Sequence, residues 1–280
     1  MISFLSRLLV LGLLLALPAC GTMDPADSSI EESSAELKTA GTYYLGRPDF
    51  RKCAFPACGG YWVRRANFPN TKCLDGTWHT ECYVSTLDLA GLAVGQVLSD
   101  KVRAGFGSGG VVLRGKLVAG GNGSSKLAVS EAWMSASYGA PKQGDLLYRG
   151  SPSGIVCIKA PCPALHVVKL NSSKAANLHG ADVSKVPGTS ADRAALEDDL
   201  YTKNALLAGH FLSGNWGHVL VASQGWRRVV PAGALCGGGN DDACGPGTLC
   251  CLPCGIVPLN GNACHNRCFA TSDDHCPLFQ

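Results

Sequence analysis

Residues 44–67 read YLGRPDFRKCAFPACGGYWVRRAN, and residues 148–171 read YRGSPSGIVCIKAPCPALHVVKLN. Tyr44, Gly46, Pro48, Cys53, Cys58, Val63 and Asn67 recur as Tyr148, Gly150, Pro152, Cys157, Cys162, Val167 and Asn171, all at an offset of 104 without a gap. The offset then becomes 94, with Asp88 matching Asp182 and Gly115 matching Gly209. It ends at 93, where Leu127, Ser130 and Trp133 match Leu220, Ser223 and Trp226. The step from 104 to 94 is a ten-residue excess in the first copy, around TKCLDGTWHTEC, and it brings Cys73 and Cys82. A single period of this length is a domain duplication, since solenoid repeats are shorter. The copies span 42–137 and 146–230, joined by the polar stretch SYGAPKQGD.

Within each copy the strand signals are runs of β-branched and aromatic residues separated by glycines: YWVRRAN, ECYVSTLDL and VVLRGKLV, then LHVVKLN, LLAGHFLSG and HVLVASQGW. Thr189-Ser190-Ala191-Asp192 opens a helix, with a hydroxyl N-cap and an acid in the first turn. Leu196 and Leu200 share a face of it at i, i+4, and Val102 and Phe106 hold the matching positions in the first copy. One helix between strand groups in each copy predicts an α+β unit, so the expected class is α+β with two homologous β-rich units.

Outside the copies, Leu8 to Leu17 is an apolar run of ten residues behind Arg7, too short to span a bilayer and suited to a signal peptide over 1–19. Leu17-Pro18-Ala19-Cys20 resembles the bacterial lipobox, which implies cleavage before Cys20 and lipid attachment there. The resemblance places a membrane at the N-terminus, with outer membrane or cell surface as the expected location. Residues 20–41 then carry Asp24, Asp27, Glu31, Glu32 and Glu36 against Lys38, with few large hydrophobes. Such a segment buries too little apolar surface to offset its ordering entropy, so a disordered acidic tether is expected.

The chain holds 15 cysteines in 280 residues, and once Cys20 is set aside the number is even, as full pairing requires. Prolines between Cys53 and Cys58, and between Cys157 and Cys162, favour a turn that brings each pair together. Asp75-Gly76 does the same for Cys73 and Cys82. These are the simplest pairings; a rival joins Cys53 or Cys58 to Cys73 or Cys82. Residues 236–280 hold Cys236, Cys244, Cys250, Cys251, Cys254, Cys264, Cys268 and Cys276 and too few large hydrophobes for a core, so disulfides must substitute for one. Zinc is outweighed by the exported compartment, and no metal or cofactor is expected. The stretch CGPGTLCCLPCG resembles part of the whey-acidic-protein type four-disulfide core, which implies protease inhibition, and also resembles Cys-rich tails of bacterial exported lipoproteins.

A net charge of +3 gives no basic field for nucleic acid. No nucleophile elbow, zinc-protease helix, P-loop or dinucleotide fingerprint is present, so no catalytic residue is assigned. The layout also resembles an uncharacterised family of bacterial exported lipoproteins. The shared features lie at Tyr44 to Asn67, at Cys73 to Leu89 and at Leu127 to Trp133. That resemblance implies no activity. The expected function is a lipid-anchored envelope protein that binds a partner or serves structure, the partner being an envelope or extracellular protein. The alternatives are protease inhibition by the tail and a hydrolase with its site between the copies.

Overall fold

Period-two alternation decides the layering of this chain. The computed structural model describes residues 41–137, 139–214, 217–231, 244, 246, 248–251 and 267–270. In chain order the first copy runs β1 (Thr42–Pro48), β2 (Tyr61–Arg65), β3 (Thr71–Lys72), β4 (Trp78–His79), β5 (Cys82–Val84), β6 (Thr86–Asp88), α1 (Gln96–Gly107), β7 (Val111–Ala119) and β8 (Ser125–Met134). The second runs β9 (Leu146–Pro152), β10 (Leu165–Lys169), β11 (Ala175–Leu178), β12 (Gly180–Asp182), α2 (Ser190–Thr202), β13 (Ala205–Gly214) and β14 (Gly217–Arg228). A short hairpin of β15 (Thr248–Cys251) and β16 (Arg267–Ala270) follows.

Twelve strands form one sheet in the order β11-β10-β9-β13-β14-β8-β7-β1-β2-β5, with β12 added to β14 and β6 to β8. Only those last two pairings are parallel. The halves meet where Arg227 and Arg228 of β14 pair with Met134 and Trp133 of β8. The duplication is repeated in register: Gly46 faces Val63 across β1 and β2, and Gly150 faces Val167 across β9 and β10. Both copies carry the same β-bulge, which leaves Ser130 or Ser223 as the extra residue opposite the Arg114–Gly115 or Ala208–Gly209 step. Glycine is required there, because a Cβ would lie 2.3 Å from the Ala128 carbonyl oxygen at Gly115 and 2.1 Å from that of Val221 at Gly209.

The expected α+β class does not hold. Among the described residues there are two helices against a large, almost wholly antiparallel sheet, so the fold is mainly β. Strand runs are legible for most of the sheet, β5 and β6 included within ECYVSTLDL, but not for β11 and β12, which are four and three residues long. Strands that short show no legible alternation and are set by the strands they pair with, β10 for β11 and β14 for β12.

Alternate side chains face two different cores. Tyr44, Val63, Leu113, Leu127 and Val129 pack on Leu98, Val102 and Phe106 of α1. Tyr148, Leu165, Leu207 and Leu220 pack on Leu196 and Leu200 of α2. The intervening residues Tyr43, Leu45, Val112 and Trp133 meet Leu147, Leu206, Ala208 and Trp226 in a third core shared by the two halves. Gly46 and Gly150 let the helices approach, since a Cβ would fall 2.1 Å from the Phe106 ring and 2.7 Å from Leu200 Cδ2. The second helix starts in a reciprocal cap: Thr189 Oγ1 accepts from the Asp192 N–H at 3.1 Å, and the Asp192 carboxylate accepts from the Thr189 N–H at 2.8 Å.

Disulfides join Cys53 to Cys58, Cys73 to Cys82, Cys157 to Cys162 and Cys244 to Cys268. The pairing expected of Cys236, Cys250, Cys251, Cys254, Cys264 and Cys276 falls outside what is described, as do Cys20, the signal and the tether. Among the described residues no helix is long and apolar enough to cross a membrane.

Candidate functional site

Duplication supplies an internal control: where both copies share a backbone, differing side chains mark specialisation. The sharpest difference lies at the β2–β5 edge. In the first copy Trp62 pairs with Tyr83 across the strands, with ring centroids 5.5 Å apart and edges turned to faces. In the second copy the same register position holds His166 and Asn177, whose Nδ1 and Oδ1 lie 2.8 Å apart.

Around the aromatic pair the first copy adds charge. The Arg51 guanidinium lies 4.9 Å from the Trp62 ring and 5.0 Å from Tyr83, and Arg47 lies 5.6 Å from Trp62. Arg51 Nη2 donates to the Asp49 carboxylate at 2.9 Å and to the Ala57 carbonyl at 2.9 Å. The Trp62 indole N–H donates to Asp49 as well, at 3.3 Å. Those donors, Arg51 first, lower the Asp49 carboxyl to about 2. Arg47 pairs with Glu81 at 2.7 Å, and the Tyr83 hydroxyl donates to the Pro56 carbonyl at 2.9 Å. The Cys53–Cys58 loop is thereby folded down beside Trp62 and Tyr83. The second copy replaces Arg47, Asp49, Arg51 and Glu81 with Ser151, Ser153, Ile155 and Ala175, so none of this apparatus recurs.

The insert builds the wall opposite. Cys73 and Cys82 close it covalently, and β3 pairs with β4 inside it. Its turn is set by Asp75, which accepts from the Thr77 N–H at 2.9 Å and hydroxyl at 2.6 Å, and by Gly76 at φ +85°. These bonds hold the Asp75 carboxyl below its usual range. Between insert, loop and the Asn122–Ser125 turn lies an open groove of about 820 Å³, lined by Trp62, Tyr83, Leu74, Asp75, His79 and Glu81 among others. Aromatic surface beside carboxylates and an imidazole is the composition of a recognition site: rings supply contact area and a few polar groups fix orientation. Sequence reasoning had assigned only the two cysteines of this wall. The signal that could have found the rest was the loss of Arg47, Asp49, Arg51, Trp62 and Tyr83 in the second copy.

The junction between the copies is filled. Trp133 and Trp226 are 1% and 0% exposed within it, where a hydrolase site between the copies needs a cleft. Asn67 and Asn171 seal it reciprocally. Asn67 accepts from the Leu147 N–H at 2.7 Å and donates to the carbonyls of Leu147 and Leu170 at 2.7 and 3.1 Å. Asn171 accepts from the Tyr43 N–H at 2.8 Å and donates to the carbonyls of Tyr43 and Ala66 at 2.9 and 3.0 Å. A serine, an aspartate and a histidine do meet elsewhere. Ser223 donates to Asp145, and His210 Nδ1 lies 3.5 Å from the other carboxylate oxygen. The carboxylate stands between hydroxyl and imidazole, so His210 is not placed to take the serine proton, as a nucleophilic triad demands. Among the described residues no three His, Cys, Asp or Glu side chains are grouped to hold a metal ion. The tail on which protease inhibition was expected lies largely outside the described residues.

Fold and groove together define a duplicated, disulfide-stapled, mainly-β protein with one specialised copy. The chain belongs to the family described as Domain of unknown function (DUF6748), which matches residues 42–231 and so takes in both copies. No curated protein and no solved structure matches the chain.

Proposed function

We propose that this chain is an exported binding protein, held at the cell envelope by lipid on Cys20, whose ligand site is the first-copy groove. One observation carries the reading: a groove with a locked aromatic–arginine wall and a cystine-closed insert, present in one copy and dismantled in the other. Disulfides agree with an oxidising compartment. The acidic stretch before residue 42 would hold the folded part off the membrane surface.

The partner is expected to be an envelope or extracellular protein. Pulldown from envelope extract with the full chain, run beside Trp62→Ala and Tyr83→Ala, tests this. Capture of a defined partner by the parent and its loss in both variants is the expected result. Equal capture by all three would remove the groove from the binding surface. The anchor has its own test, since Cys20→Ser should abolish incorporation of labelled palmitate.

A further inference from the structure

The two cystine loops share a frame and end differently. In the first copy Arg51 is tied to Asp49 and to the Ala57 carbonyl, and the Pro56 carbonyl is tied to Tyr83. In the second copy the bonds lie at the base of the loop: the Ser153 N–H donates to the Ala164 carbonyl at 3.0 Å, its hydroxyl donates to that of Pro163 at 2.6 Å, and the Ile155 N–H donates to the Ser153 hydroxyl at 3.1 Å. Beyond that base, Ile155, Val156 and Ile158 stand 42%, 97% and 108% exposed around the Cys157–Cys162 bond. Single exposed aliphatics are ordinary, but three within four positions, beside and inside one disulfide ring, are a patch that asks for an apolar partner.

Charge says which partner. Between Asp145 and Asp182 the chain carries Arg149, Lys159, Lys169 and Lys174 and no acid. Lys159 is itself on the exposed tip. Lys169 and Lys174 sit at the opposite end of the β9–β10 hairpin, so Lys159 is the cation beside the aliphatic tip, and that pairing matches the boundary of an anionic bilayer, where acyl chains take the apolar groups and headgroups take the cation.

We propose that the 153–164 loop is a membrane-docking element that places Val156 and Ile158 at the headgroup–acyl boundary of an anionic lipid surface, with Lys159 at the headgroups. This site is separate from the groove and acts whether or not Cys20 carries lipid. The disulfide fixes the tip, so little ordering entropy opposes insertion.

The test uses the full chain carrying Ile158→Trp beside its parent. Both are mixed with vesicles of brominated phosphatidylcholine, with or without phosphatidylglycerol. Extra quenching in the Ile158→Trp chain, stronger with phosphatidylglycerol and reduced by Lys159→Glu, is the expected result. Because the reading is local to position 158, it is independent of any other part of the chain that holds the vesicle. Val156→Ser/Ile158→Ser in a Cys20→Ser chain should weaken vesicle binding at least about tenfold, as expected for removing two apolar anchors. Equal quenching of parent and Ile158→Trp chains in anionic vesicles would overturn the proposal. A shift from dimer to monomer in the double-serine chain without vesicle quenching would overturn it in favour of docking between copies. Tyr83→Ala should leave the quenching unchanged, so a failure here is distinct from a failure of the groove.

Discussion

Asn171 is buried and sits at φ +59°, a conformation asparagine tolerates better than other side chains with a Cβ. It makes three hydrogen bonds, all of them to the opposite copy. Asn171→Ala would leave the Tyr43 N–H without its partner and remove a bond from two carbonyls, at roughly 1–3 kcal/mol for an unsatisfied buried group. With the added cost of a left-handed alanine, a loss of about 3 kcal/mol in urea unfolding is expected. Asn171→Gly keeps the backbone free and should recover only a minor part, which separates the bonds from the dihedral. Asp49 gives a second residue-level expectation, with a sign. Its carboxyl is lowered to about 2 in the fold, while an unfolded aspartate titrates near 4. The ionised form is favoured by folding, so its contribution is complete above about pH 4 and disappears as the pH falls toward 2. The difference in urea midpoint between parent and Asp49→Asn should be flat above pH 5 and shrink below pH 4; a difference that grows on acidification would reverse the assignment. At this scale the sequence was partly legible. Asn67 and Asn171 stood out as a matched pair, but identity between copies does not reveal that each reaches into the other. Likewise nothing local in DFRK tells that Arg51 meets rings eleven and thirty-two positions further along.

Elements are held by what the glycines permit. In each copy the glycine of the first strand faces a large residue of the helix, Gly46 against Phe106 and Gly150 against Leu200. A Cβ 2.1 Å from an aromatic ring has no rotamer escape, because Phe106 is fully buried in the α1 core. Gly46→Ala should therefore cost about 1–3 kcal/mol by overpacking. Gly150→Ala should cost less, since Leu200 Cδ2 is the end of a flexible side chain. Phe106→Leu puts the second-copy residue into the first copy, and in the Gly46→Ala background it should restore part of the lost thermal stability. If Phe106→Leu simply adds its own loss to that of Gly46→Ala, the contact is not what limits the approach. The helices themselves were readable because their signals are local: a capping box at Thr189 and paired apolar residues at i, i+4. The class was misread for the complementary reason. The strand runs are legible, but the β14–β8 pairing that merges both copies into one sheet joins positions far apart in sequence, so no short window displays how far the sheet outweighs one helix per copy.

For the whole molecule the decisive fact is that the third core belongs to neither copy. Trp133 comes from β8 and Trp226 from β14, and each lies with residues of both halves. Around them Asn67 and Asn171 tie the β2 and β10 ends to the partner copy, and the sheet runs unbroken through the β14–β8 pairing. A half that separated would expose this core and give up the six hydrogen bonds of the two asparagines. Unfolding should then be one cooperative event despite the two copies. Tryptophan fluorescence, to which Trp133 and Trp226 of the junction and Trp62 of the groove contribute, and far-ultraviolet circular dichroism should give coincident urea transitions. Trp226→Ala should lower the unfolding free energy by about 3–5 kcal/mol, as for a buried aromatic, and move the single midpoint down without splitting the curve. Two resolved transitions in the parent would mean that each copy folds by itself and that the junction is a docking surface. A residues 42–137 fragment adds an independent check. It retains the α1 core but lays bare Tyr43, Leu45, Val112 and Trp133 together, so it should bind a hydrophobic dye and fail to give a native near-ultraviolet spectrum. A native-like monomeric fragment would show that duplication added a second domain; its absence would show that duplication supplied the missing half of a core.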